Sequence, residues 1–248
     1  MRAVSILLFL LLWTGVSTFT SLAYPHEVAA KFLQIIVAPE PILGKSLLEH
    51  TFASLSRVLT ASAAAFTLAV PLGLSGYFPR ARDLIMPMIE ILRPIPPLAW
   101  IPIAYIIFAP FPNTSLLAQL YIVFVGAFFP CVVAVFDAAR SVPEEYIEMA
   151  EVFGASNSLI LKEIVVPYCL QGIVTGIRLG LGVGWMSIVA AEMIAGSGDG
   201  LGYFILVMYE VGGRTAEIVS GIAMIGAVGY IMNEVLLRLE RVLAPWRS

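Results

Sequence analysis

The stretch RPIPPLAWIPIAYIIFAPFPNTSLLAQLYIVFVGAFFPCVVAVFD, residues 93–137, decides the class of this protein. Between Arg93 and Asp137 no side chain carries a formal charge. A helix crosses a hydrocarbon core with roughly 20 apolar residues, so this run is about twice the length of one crossing. PFPNTS at 110–115 supplies turn residues near its middle, and the run reads as a helical hairpin with spans near 91–109 and 116–136. Upstream, VLTASAAAFTLAVPLGLSGYFP between Arg57 and Arg80 predicts a span over 58–78. Its Pro71 and Gly73 are tolerated because neighbouring helices satisfy the freed backbone groups. Val4 to Ala23 reads as a first span, residues 164–194 as a fifth interrupted only by Arg178, and residues 217–237 as a sixth. The expected fold is therefore all-α and integral to the membrane, a single six-span domain over residues 1–248.

Composition agrees. Of the 248 residues 60% are hydrophobic and 12% charged, where a soluble domain carries about 25% charged residues. A disordered chain, a disulfide scaffold and a soluble enzyme are excluded on these grounds. A net charge of -3 with 14 Lys plus Arg offers no basic footprint for nucleic acid. Cys131 and Cys169 lack metal-site spacing, and His26 and His50 are too few and too far apart in sequence to suggest a metal centre. No nucleophile, base and orienter stand together, so no catalytic residue is expected.

The basic residues set the orientation. With the N-terminus inside, the cytoplasmic segments hold Arg2, Arg80, Arg82, Arg140, Lys162, Arg238, Arg241 and Arg247, whereas the outer side holds Lys31, Lys45, Arg57 and Arg214. Both termini are then cytoplasmic. The first apolar segment has a rival reading, a cleaved signal peptide ending at TSLA before Tyr24. Its length favours a retained helix, and cleavage would leave the other five spans oriented as before.

The inner loop at 137–163, DAARSVPEEYIEMAEVFGASNSLILKE, is long and acidic. Pro143 suits a helix start, and Glu144 and Glu145 fall in the first turn, where carboxylates favour the positive end of the helix dipole. Tyr146, Met149, Ala150 and Phe153 recur at i, i+3, i+4 and i+7 and form one apolar face. Gly154 can take the positive φ that ends a helix. Ser156 or Asn157 can cap a second short helix leading to Pro167.

Here the chain resembles the permease subunits of binding-protein-dependent ABC importers. Their loop signature is EAA, three residues, Gly, nine residues, then I-x-L-P. The corresponding residues are Glu148-Met149-Ala150, Gly154 and Ile164-Val165-Val166-Pro167. Met149 and Val166 depart from it by apolar exchanges. SLSRVLTASAAAFTLAVPLGLSGYF, EILRPIPPLAWIPIAYIIF, GAFFPCVVAVFDAARSVP and GIRLGLGVGWMSIVAAEMIAGSGDGLGYFI extend the likeness over roughly residues 46–240, to the nitrate, sulfonate, taurine and bicarbonate branch. The resemblance implies a type I importer permease in a prokaryotic cell membrane. It also implies a second permease subunit, two cytoplasmic ATPase subunits and an external solute-binding protein. In that assembly the 143–162 segment is the coupling helix seated in an ATPase groove.

The residues agree with this division of labour. Gly44-Lys45-Ser46 ends like a phosphate loop, but the first glycine of GxxxxGK[ST] would fall on Pro39. ATP and Mg are therefore expected on the partner ATPase, with no cofactor in this chain. An exposed apolar face on the inner loop favours a docked partner.

Arg178 lies about eleven residues beyond Pro167, some 16 Å deep by helix rise. A lone charge there costs at least about 2.5–3.5 kcal/mol unless it faces protein or water. Two readings stand: an anion-attracting pathway group, or a buried partner for Glu90 or Glu234. The second is favoured because an Arg at this point resembles a feature of permeases with varied substrates. Glu192, about 21 Å further along, is either a pathway or gate residue or an outer helix cap. Asp199 reads as a turn former. Gly172, Gly176, Gly180 and Gly184 form a small-residue stripe for close helix approach, long enough to suit a central permease interface. Pro94, Pro96 and Pro97 break the third span, either at the pathway or as a plain bend. An ion-gradient transporter, with Glu90 as its coupling carboxylate, is the alternative class, and a non-transporting scaffold is the other.

Overall fold

A computed structural model describes residues 2–196 and 198–243; the other positions, Arg247 of the basic census among them, lie outside the described residues. All regular structure among the described residues is helical. In chain order the α-helices are α1 (Arg2–Phe19), α2 (Pro25–Ile35), α3 (Leu47–Leu74), α4 (Pro79–Leu92), α5 (Ile101–Phe108), α6 (Thr114–Arg140), α7 (Glu144–Val152), α8 (Asn157–Ile160), α9 (Val166–Ile194), α10 (Leu201–Val211) and α11 (Thr215–Leu243).

Four helical stretches are long and apolar enough to cross a membrane: Leu47–Tyr77, Thr114–Arg140, Asn157–Ile194 and Thr215–Arg241. The third span expected over 91–109 is corrected. Pro79–Leu92 and Pro97–Phe108 are separate helices bent by 91° at the break between them, and they make a fifth crossing only as a pair. Pro94, Pro96 and Pro97 supply no backbone N–H, so the helical ladder cannot pass through them. The hairpin turn stands where it was expected: Asn113 takes the left-handed φ of 61° and opens α6. The helices expected over 58–78 and 217–237 run longer than their apolar cores, because polar residues such as His50, Ser54 and Glu240 continue them. The short helices α2 and α10 were not anticipated. With 11 residues, α10 covers about 16 Å, half of a hydrocarbon core.

The chain divides into two compact units, one of Met1–Ser56 with Val189–Tyr230 and the other of Arg57–Ile188 with Ile231–Ser248. In the second unit α6 is the central element. Its Cys131, Val132 and Val135 bury against Ala69 of α3 and Ile89 of α4. The glycine stripe of α9 closes on this helix. A Cβ at Gly176 would sit 3.0 Å from the Cys131 carbonyl, one at Gly180 2.6 Å from the Ala127 carbonyl, and one at Gly172 against Ala138. The stripe, whose neighbour the sequence left open, serves packing of α9 on α6 within the chain at these three positions.

In the first unit α2 is tied to α11. Ser220 Oγ donates to the Val28 carbonyl at 3.4 Å, and Lys31 Nζ lies 3.5 Å from Glu217. The turn before α2 is held by Trp13, whose indole N–H donates to the Ala23 carbonyl at 3.1 Å. A Cβ at Gly221 would strike Ile205, so α10 packs directly on α11.

Candidate functional site: the α7 element, a cavity at the helix break and a buried carboxylate

The 137–163 loop folds as its residues dictate. Pro143 takes an extended conformation before α7, and Glu144 and Glu145 occupy the first turn. At the other end Gly154 adopts φ 79°. Its amide donates to the Glu151 carbonyl at 2.8 Å and the Ala155 amide to the Ala150 carbonyl at 3.0 Å. That pair of bonds is a Schellman ending, which needs a left-handed residue at this position. Of the two capping candidates it is Ser156 that serves, its Oγ accepting from the Leu159 amide at 3.4 Å. A π-turn over Leu161–Val165 then leads into α9. This wider turn accommodates Pro167, which has no N–H to give and whose ring would press on the carbonyl four residues back.

The two sides of α7 differ. Ile147 and Ala150 pack on a cluster of Ala139, Val142, Ile160, Val165 and Cys169, together with Leu74, Tyr77 and Ile164. The helix is thereby fixed to the C-terminal ends of α3 and α6 and the N-terminal end of α9. On the other side Tyr146, Met149, Val152 and Phe153 are exposed, Phe153 to 84%. Ala150 was expected on this bare face and instead turns inward. At 100° per residue it falls between Tyr146 and Ile147, on the edge of the buried side. Glu144, Glu148 and Glu151 line a cleft of about 380 Å³ against the turn at Tyr77–Pro79.

A second feature lies at the proline break. A cavity of about 700 Å³ is bounded by Arg93, Pro94 and Pro97, by α6 from Val125 to Asp137 and by Leu179 and Val183 of α9. Gly126 lets these walls close, since a Cβ there would lie 2.7 Å from Ser187 Oγ and 3.5 Å from Pro97. The break that the prolines announce thus opens onto a space large enough for a small solute.

The intramembrane charges fall out differently from one another. Arg178 pairs with neither Glu90 nor Glu234. Its Nε lies 3.3 Å from Glu240 Oε2, and the other oxygen of Glu240 accepts from Thr175 Oγ1 at 3.0 Å. Glu90 is exposed on α4. Glu192 is fully buried: it accepts from Ser54 Oγ at 2.9 Å and from the Gly202 amide at 3.0 Å. Ser54 in turn accepts from the Leu201 amide at 2.9 Å, and His50 Nδ1 accepts from the Gly200 amide at 3.1 Å. Together these side chains satisfy the first amides of α10, which have no partners inside their own helix. Sequence reading missed His50 and Ser54. Their spacing of four along one helix was the available signal. Asp199, read as a turn former, forms an ion pair with Lys45 at 3.0 Å. Among the described residues no cluster of His, Cys, Asp and Glu has metal-binding geometry.

This arrangement has no reacting constellation. It has a short helix packed on α3, α6 and α9 with one bare apolar face, a solute-sized space, and a half-length helix whose first amides are capped by buried side chains. Residues 65–248 match the model of the binding-protein-dependent transport system inner membrane component family, and the chain belongs to that family. It is a multi-pass membrane permease subunit of an ABC importer, and it is not itself a catalytic subunit. The chain is 34% identical to the taurine transport system permease protein of Escherichia coli, over 90% of this chain and 79% of that one. It is 32% identical to the nitrate import permease protein of Synechocystis, over 98% and 88%. With the bicarbonate transport system permease protein of Synechococcus elongatus the identity is 32%, over 80% and 70%. A chain of the MetNI methionine ABC transporter superposes with a TM-score of 0.68 at 19% identity, covering 79% of this chain and 95% of that one. That last likeness concerns the fold alone.

Proposed function

We propose that the chain carries a small oxyanion, of the nitrate, bicarbonate or sulfonate type, across the cell membrane of a prokaryote. It does so as one half of a permease homodimer. Two cytoplasmic ATPase subunits hold ATP and Mg and drive the cycle, and an external solute-binding protein delivers the cargo. The chain crosses the membrane six times, by α1, α3, the bent pair of α4 and α5, α6, α9 and α11, with both termini in the cytoplasm. The basic residues support that orientation. The 18 residues of α1 reach about 27 Å, close to one crossing.

The observation that carries the reading is the two-sidedness of α7. Its inner side is locked to the ends of three membrane helices, and its outer side offers Tyr146, Met149, Val152 and Phe153 to a partner. An ATPase that grips this bare face and closes on ATP moves α7, and α7 moves the helices to which it is fixed. Gly154 keeps the chain turning so that the lever keeps its angle. The substrate class is supported by three relatives whose names give taurine, nitrate and bicarbonate transport.

The test is reconstitution. The chain, co-expressed with candidate ATPase subunits and supplied with a solute-binding protein, should co-purify with the ATPase and accumulate nitrate, bicarbonate or taurine in proteoliposomes only when ATP is present. Neither association nor ATP-dependent uptake would overturn the reading.

A further inference from the structure

We infer that Arg93 is the residue that draws the anion into the cavity at the helix break and selects it by charge. The inference rests on the oxyanion reading above and gives that substrate class a place in the chain. Arg178, the cation that sequence reading put forward, is engaged by Glu240 at 3.3 Å and does not line this cavity. Arg93 does. It stands at the last turn of α4, where its amide donates to the Ile89 carbonyl at 2.9 Å, and its exposed side chain forms part of the cavity wall. It makes no ion pair among the described residues. Asp137, the other charged group lining the cavity, is held by Arg140 at 3.6 Å.

The chemistry of the wall makes Arg93 stand out. Val125, Phe129 and Val133 are apolar, and Pro94 and Pro97 have no N–H to offer an anion. A guanidinium presents parallel N–H donors that match two oxygens of a planar or tetrahedral oxyanion. A single cation on an open wall binds weakly, which suits a conduit from which cargo must also leave.

The test uses the complete importer in proteoliposomes, with nitrate as the probe and three readouts: initial uptake rate, nitrate moved per ATP hydrolysed, and yield of assembled complex. Arg93→Gln should lower the nitrate rate about tenfold, the scale of a lost electrostatic attraction, and should lower the ratio of nitrate to ATP while assembly holds. Arg93→Lys, which keeps the charge but not the paired donors, should retain clearly more of both than Arg93→Gln and less than the wild type. A wild-type nitrate rate in Arg93→Gln would overturn the assignment and leave the substrate class standing. So would equal losses in both variants that follow the yield of assembled complex, since that pattern marks a structural residue. A wild-type complex that moves another solute but none of nitrate, bicarbonate and taurine would remove the substrate class, and the assignment with it.

Discussion

Glu192 of α9 takes the Gly202 amide at 3.0 Å and the Ser54 hydroxyl at 2.9 Å into one buried carboxyl group, so α3, α9 and α10 meet at a single side chain. The Gly202 amide lies in the first turn of α10 and has no partner inside its own helix. Leaving buried donors orphaned costs about 1–3 kcal/mol each. Glu192→Ala should therefore destabilise the protein by about 2–4 kcal/mol, seen as a lower melting temperature in detergent and faster amide exchange over residues 201–208. Glu192→Gln keeps the shape and one acceptor and should cost less than half as much. Equal melting of the wild type and Glu192→Ala would remove the cap.

The Arg178–Glu240 pair predicts rescue. Arg178 is partly accessible, 28% of its side chain, so Arg178→Met should cost about 1–3 kcal/mol, chiefly by stranding Glu240. Adding Glu240→Met should recover most of the folded yield. If the single variant instead folds normally and loses transport, the side chain meets cargo and the pair is incidental.

Orientation is open to labelling. Asn113→Cys, at the turn before α6, should react with an impermeant thiol reagent added outside. Asn157→Cys, at the start of α8, should react only from inside. The reverse pattern would invert the topology.

Much of this was legible in the sequence because membrane burial is written in missing charges. The 93–137 run announced its hairpin, and PFPNTS placed the turn at Asn113. Pro143 with Glu144 and Glu145 announced a helix, Gly154 its ending, and Ser156 or Asn157 the next cap, since capping is decided by a few neighbouring residues. What depends on distant partners was hidden. Glu240 lies 62 residues from Arg178 and beyond the apolar part of α11, so hydropathy ended the helix too soon to offer it as a partner. The neighbour of the glycine stripe could not be named from the stripe. Helix α10 is shorter than any window that detects a crossing, and the 91° bend at the prolines is a tertiary angle.

Gly154 tests the turn without a steric confound. Nothing lies within 4 Å of the position a Cβ would take, so substitution is felt only through its φ of 79°. Gly154→Leu should cost about 1–2 kcal/mol of left-handed strain and shift the angle of α7. Membrane insertion should persist while uptake falls. Gly154→Asn, which tolerates this conformation, should keep most of the uptake. Loss in Asn equal to that in Leu would mean that Gly154 serves by lacking a side chain.

The central claim is that the bare face of α7 transmits ATPase motion to the membrane helices. Its most direct measurement is ATPase co-purification and ATP-dependent uptake for Phe153→Asp combined with Met149→Asp. Both side chains are solvent-exposed, so the variant should insert and fold as the wild type does. Burying two carboxylates in an apolar groove should weaken ATPase association at least about tenfold, as loss of an interface anchor does, and abolish uptake. Wild-type association together with wild-type uptake would contradict the account.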